Sequence, residues 1–121
     1  MSYINIGKLT EEVNNIKGHE VIEFQAPTAT NGYTWYRKYA DGWVEQGGES
    51  AQAGTAVVLP VTMANTVYYA TCLSKNATDT AAVEMHLSTR TTTSVLFTCS
   101  YNGSSSYTSE VCVWEVKGMY A

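Results

Sequence analysis

Histidines, cysteines and paired carboxylates build most catalytic and metal sites, so they are the first residues to weigh in this 121-residue chain. His19 and His86 are the only two histidines. Metal sites draw on several ligands per chain, and two histidines are a sparse set. Cys72, Cys99 and Cys112 are odd in number and form no CxxC or zinc spacing, so they read as buried free thiols. Cys99 and Cys112 are placed to face each other across a hairpin. The acids are Glu11, Glu12, Glu20, Glu23, Glu45, Glu49, Glu84, Glu110, Glu115, Asp41 and Asp79, and no spacing singles out the pair that polysaccharide cleavage needs. Gly47-Gly48 precedes a polar loop and a further strand rather than a helix, so it is no phosphate cradle. These observations predict no enzyme, no metal and no cofactor.

What remains is recognition. Tyr101-Asn102-Gly103-Ser104-Ser105-Ser106-Tyr107-Thr108-Ser109 combines rigid amphipathic rings with hydroxyl and amide partners, the mixture adaptable binding loops use. Tyr101, Asn102, Ser104 and Tyr107 are its candidate ligand-binding residues, and sugars suit them, with an apolar ring face for the aromatics and hydroxyls for the amides. Asn76 to Thr80 is a second, weaker candidate loop. The formal net charge of −4 and the scattered basic residues exclude the clustered footprint that nucleic acid requires. No apolar run reaches the roughly 18 to 20 residues of a membrane span, and the N-terminus has no signal-peptide core. Synthesis in the cytoplasm without membrane insertion is the expectation.

Two kinds of element must position these residues. Ile6, Leu9, Val13 and Ile16 fall at alternating spacings of three and four with polar residues between them, which is the seam of a short amphipathic helix ended at Gly18. A helix this short needs a partner, either the chain's own β core or other copies of itself. From His19 onward the pattern is β: Val21 to Phe24, Tyr33 to Tyr39, Trp43 to Gln46, Val57 to Val61, Val67 to Leu73, Val83 to Leu87, Ser94 to Tyr101 and Val111 to Val116 are short runs rich in β-branched and aromatic residues. Pro27, Asn31-Gly32, Asp41-Gly42, Gly47-Gly48, Asn76 and Asn102-Gly103 punctuate them. Eight strands at this spacing predict a mainly β fold, an antiparallel β-sandwich of jelly-roll-like form, over residues 19–121 behind a helical neck over residues 1–18.

Asp41-Gly42 predicts a type I′ hairpin with Lys38 opposite Glu45 and a break after Gln46 at the two glycines. The segment Tyr33-Thr34-Trp35-Tyr36-Arg37-Lys38-Tyr39-Ala40-Asp41-Gly42-Trp43-Val44-Glu45-Gln46-Gly47-Gly48 closely resembles the YRxYxDGWxEQGG stretch in C-terminal domains of bacteriophage and prophage tail fibres. Val58-Leu59-Pro60-Val61 with Tyr68-Tyr69-Ala70, and Trp114-Glu115-Val116-Lys117-Gly118, are similar to two further segments of that family. The resemblance runs from about Val21 to the end. It implies a homotrimeric fibre tip at the distal end of a virion's tail fibre, made in the bacterial host's cytoplasm and binding a bacterial surface receptor such as a glycan, lipopolysaccharide or surface protein. It also implies that Ile6, Leu9, Val13 and Ile16 face a threefold axis. A structural trimerisation or end-capping domain is the alternative. Trp35, Tyr36, Tyr39 and Trp43 belong to the motif and are assigned to folding or trimer packing.

Overall fold

The computed structural model describes residues 18–75, 83–101 and 111–121. Eight strands occupy them: β1 (Val21–Gln25), β2 (Trp35–Tyr39), β3 (Trp43–Gln52), β4 (Val57–Val58), β5 (Tyr69–Ser74), β6 (Val83–Arg90), β7 (Ser94–Tyr101) and β8 (Val111–Met119). The chain is mainly β and its sheets are antiparallel. The helix expected before Gly18 lies outside the described residues, with Ile6, Leu9, Val13 and Ile16. Pro60, which has no N–H for a ladder, confines β4 to two residues where an extended run to Val61 was expected.

Five strands form one sheet in the order β1-β2-β3-β8-β5, and β4-β7-β6 form the other. Period-two alternation turns one face of each sheet inward. From the larger sheet Val44, Cys112, Trp114 and Val116 are buried; from the smaller, Val95 and Phe97; and Leu59, Val61, Met63 and Tyr68 fill the space between from irregular chain. Cys99 is also buried.

The β2–β3 hairpin corrects the expected register by one residue. Among the described residues other than glycine only Tyr33 has positive φ, so Asp41 is not in the conformation that a type I′ turn requires. Instead Gly42 N donates to Tyr39 O at 3.1 Å and Gly42 alone takes φ 95°, the pattern of a three-residue loop closed by a glycine bulge. The extra residue pairs Arg37 with Glu45 and Lys38 with Val44. Because a one-residue slip moves a side chain to the other face, Lys38 turns from Glu45 to Glu23, 3.6 Å away, and its ammonium lies 4.6 Å from the centre of the Tyr120 ring.

Gly47 and Gly48 do not break β3 either; the strand runs through them to Gln52, with an irregularity only between Gly48 and Ala51. Their role is space. A Cβ on Gly47 would stand 2.6 Å from Trp114 O and 2.8 Å from Trp35 Nε1, and one on Gly48 would stand 2.8 Å from Trp114 Nε1. Consecutive residues of a strand face opposite sides, so one glycine seats an indole on the outer face and the next seats an indole in the core.

Next to them Gln46 is fully buried and fully bonded. Its Oε1 accepts from Val61 N at 2.9 Å, while its Nε2 donates to Val61 O at 3.0 Å and lies 3.1 Å from the Met63 sulfur. The side-chain amide thus replaces a strand partner for the chain beyond Pro60, whose backbone groups would otherwise be buried without partners.

A candidate recognition surface

Most of the sequence-derived site falls where the structure gives anchors alone. Tyr101 closes β7, while Asn102, Ser104 and Tyr107 lie outside the described residues, as do Asn76 to Thr80. The anchors nevertheless fix where these segments spring from. Ser74 pairs with Cys112, Lys75 N donates to Val111 O at 2.8 Å, and Val83 pairs with Tyr101. Residues 76–82 join β5 to β6 and residues 102–110 join β7 to β8, so both connections leave the same end of the molecule.

The β3–β4 turn lies toward this end as well, where Gln52 pairs with Val111, and the opposite end has its own set of turns. Tyr120 N donates to Gly42 O at 2.9 Å, Ala40 N to Glu20 O at 2.9 Å, and Met63 N to Thr92 O at 2.8 Å. The β2–β3 hairpin, the β6–β7 turn, the last residues of the chain and Gly18-His19, where residue 17 joins the domain, therefore share it. β8 runs its nine residues from one end to the other, a span of roughly 27 Å at strand rise.

Between the ends lies the outer face of the five-stranded sheet, with a charged centre and apolar flanks. Glu45 is its hub: Tyr39 Oη donates to it at 2.8 Å, Arg37 lies at 3.8 Å and Lys117 at 4.0 Å, and Lys117 reaches Glu115 at 3.2 Å. The hydrogen bond to the Glu45 carboxylate, with burial and the carboxylate's charge, raises the Tyr39 hydroxyl above its ordinary pKa against the opposing pull of Arg37 and Lys117. The Tyr39 ring stacks on His19 with centroids 4.3 Å apart, and His19 Nδ1 lies 2.7 Å from Asp41 Oδ2. That imidazole contact holds the Asp41 carboxyl below its usual range, helped by the N–H of Trp43.

Apolar side chains flank this centre. Phe24, Tyr69, Leu73, Val113 and Met119 are all exposed, Tyr69 and Leu73 at 75% each. Of the four motif aromatics, Trp35, Tyr39 and Trp43 lie half-buried on this outer face, while Tyr36 turns inward and packs against the core. Beside Trp35 is a hollow of about 390 Å³, bounded across the sheet by Thr71, Leu73, Val113 and Glu115. It exists because β3 contributes only Gly47 between Trp35 and β8. These four residues were not expected from the sequence; the available signal was the outward alternation of Thr71 and Leu73 along β5 and of Val113 and Glu115 along β8.

Of the three thiols, Cys72 is poorly placed to react. Cys72 and Cys112 are inward neighbours on adjacent strands, rather than Cys99 and Cys112 across a hairpin as expected. A hydrogen bond with Cys112, then burial, then the nearness of Cys112 and Cys99 push the Cys72 thiol strongly up. A thiol so placed stays protonated and is a poor nucleophile. Among the described residues no group of three or more His, Cys, Asp and Glu side chains is arranged to hold a metal. His86 lies 3.9 Å from Glu84 and 3.3 Å from Ser100 Oγ on the exposed side of β6.

Comparison of the chain with protein-family models and with characterised proteins gives no match.

Proposed function

We propose that this chain is the tip domain of a bacteriophage tail fibre, a homotrimeric jelly-roll-like β-sandwich at the distal end of the fibre that binds a receptor on the bacterial surface. The observation that carries the reading is the polarity of the domain. Residues 1–17, whose spacing suits a neck on a threefold axis, join at one end, and the two connections of recognition-loop composition leave from the other, roughly 27 Å away. A fibre tip requires that arrangement: shaft on one side, contact on the opposite side.

The motif supports the same reading through what its residues do. Gly42 closes the turn, Glu45 gathers the outer-face charges, Gln46 clamps Val61, and Gly47 with Gly48 seats Trp35 and Trp114. These are folding roles, and they leave the distal connections free for receptor contact. Three copies would present those connections together, so weak individual contacts with a glycan, lipopolysaccharide or surface protein add through avidity. No catalytic step belongs to this function.

The second reading, a trimerising cap without receptor contact, draws on β1, an edge strand whose Val21, Ile22 and Phe24 are 45%, 55% and 60% exposed in the single chain. One experiment separates the two. Fluorescently labelled full chain is applied to a panel of bacteria beside Asn102→Ala and Tyr107→Ala variants, with the mass of each measured by light scattering. A trimer that adsorbs to some strains, with adsorption lost in the variants, is the expected outcome. A trimer that adsorbs to none establishes the cap, and a monomer at micromolar concentration removes the threefold axis from both.

A further inference from the structure

We infer that the outer-face hollow beside Trp35 is a subsite for a single neutral pyranose residue of a surface glycan, distinct from the distal connections. This inference rests on the recognition reading and adds to it a place and a ligand class.

Three features of the hollow point to a sugar. Its walls alternate in character across four strands: the Trp35 indole on β2, nothing on β3 at Gly47, Val113 and Glu115 on β8, and Thr71 and Leu73 on β5. A pyranose has the matching amphipathy, with axial C–H bonds whose partly positive hydrogens favour an aromatic face and a rim of hydroxyls that needs acceptors and donors. Glu115 and Thr71 supply those partners within the same hollow. Its volume of about 390 Å³ lies toward the small end of ligand-binding cavities.

The charges around it select among sugars. Arg37, Lys117, Glu45 and Glu115 balance one another: Lys117 is held at 3.2 Å from Glu115, and Arg37 lies against the Trp35 ring at 5.6 Å from its centre. No net positive charge is left to attract a sialic or uronic acid, and the carboxylate in the hollow opposes one. A neutral hexose or N-acetylhexosamine keeps the ion pairs intact and uses the Glu115 oxygen that Lys117 does not hold as an acceptor.

Gly47 holds the hollow in shape without lining it, and Leu73 lines it from the solvent side. Gly47 lets the indole lie against the backbone, since a Cβ there would meet Trp35 Nε1 at 2.8 Å. Leu73 is 75% exposed, so it contributes to the hollow while its replacement leaves the core untouched.

The test is a titration of the 15N-labelled full chain with the methyl glycosides of glucose, galactose and N-acetylglucosamine, and with sialic acid, read at the indole N–H of Trp35. At least one neutral glycoside is expected to shift that signal with millimolar affinity, sialic acid is expected to leave it in place, and Leu73→Arg is expected to weaken the neutral sugar tenfold or more while unfolding at the wild-type temperature. Trp35→Phe, which keeps an aromatic wall, is expected to retain part of the affinity. The inference is overturned if no neutral glycoside moves the signal at tens of millimolar, or if sialic acid binds better than the neutral sugars. It is also overturned if Leu73→Arg dissociates an oligomer, because the hollow is then covered by a second copy. Adsorption to cells separates its failure from that of the recognition reading: Leu73→Arg adsorbing like wild type while Tyr107→Ala does not removes the subsite and leaves the distal site standing.

Discussion

The two faces of the five-stranded sheet use neighbouring residues for opposite ends. Inward, Val44, Gln46, Cys112, Trp114 and Val116 are buried, and the one polar side chain among them has every hydrogen bond satisfied within the protein. Outward, Trp35, Arg37, Tyr39, Glu45, Glu115 and Lys117 form a half-exposed network of charges and rings, flanked by Phe24, Tyr69 and Leu73 in open solvent. The same motif builds both: Glu45 faces out and Gln46 in, Gly47 out and Gly48 in. The inner face is determined by what must be excluded from water, and the outer face remains free to be selected for contact. Residues that fix the core and residues left open to contact can therefore alternate within the same ten residues of β3.

The comparison breaks most severely at Gln46. Gln46→Ala removes both partners of Val61 from a buried site, leaving a donor and an acceptor unsatisfied and a cavity beside them. A loss of about 3 to 5 kcal/mol in unfolding free energy is expected, read by urea denaturation. Gln46→Leu, which restores volume without hydrogen bonds, should recover only a minor part of it. A loss below about 1 kcal/mol for the alanine variant would mean that the chain after Pro60 finds other partners, and that the inner face is less tightly determined than the outer.

Gly47→Ala probes the outer face at the same level of the sheet. The new methyl would meet Trp114 O of the adjacent strand at 2.6 Å and the Trp35 ring at 2.8 Å. The ring can swing outward, but the carbonyl belongs to a ladder and cannot. A cost of about 1 to 3 kcal/mol is expected in thermal unfolding, together with a changed Trp35 environment in fluorescence. If stability falls without any change at Trp35, the glycine serves the ladder alone and the hollow has another origin.

How much of this was legible in the sequence depends on whether the deciding interaction was local. All eight strands were placed from alternation and turn residues, because Val95, Phe97 and Cys99 read as one face of β7 without reference to anything else. The hairpin register was not legible: Asp-Gly suits both a two-residue and a three-residue loop, and the choice sets the whole face of β2, Lys38 and Arg37 included. Gly47-Gly48 looked like a break because glycine is rare inside strands, and the reason for it sits on Trp114, far along the chain. Gln46 carried no signal, since its partners are backbone atoms of Val61 across a turn that no pattern announces. The hollow was invisible for the same reason: β2, β5 and β8 bring its residues together only after the strand order is known. Tyr101, Asn102, Ser104 and Tyr107 remain a compositional argument, since Asn102, Ser104 and Tyr107 lie outside the described residues.

The smallest expected effect concerns the junction where the two faces meet the incoming chain. Asp41 accepts the N–H of Trp43 at 3.1 Å and lies 2.7 Å from His19, whose ring stacks on Tyr39 of the outer face. Its carboxyl is held below the ordinary value of 3.8, chiefly by the His19 hydrogen bond. A carboxyl depressed in the folded state stabilises the fold fully above its unfolded pKa, and that stabilisation is lost as pH falls from there through the folded value. Melting temperatures measured from pH 6 downward should therefore fall slightly more for wild type than for Asp41→Asn, which keeps the turn and has no proton to gain. The outer network gives the control: Glu45→Gln disturbs Tyr39, Arg37 and Lys117 and leaves the Asp41 contacts in place, so its acid limb should still separate from that of a variant carrying both Glu45→Gln and Asp41→Asn. Coincident curves for wild type and Asp41→Asn would show that His19 holds Asp41 without favouring its charged form, and would reduce this junction to a stacking contact between His19 and Tyr39.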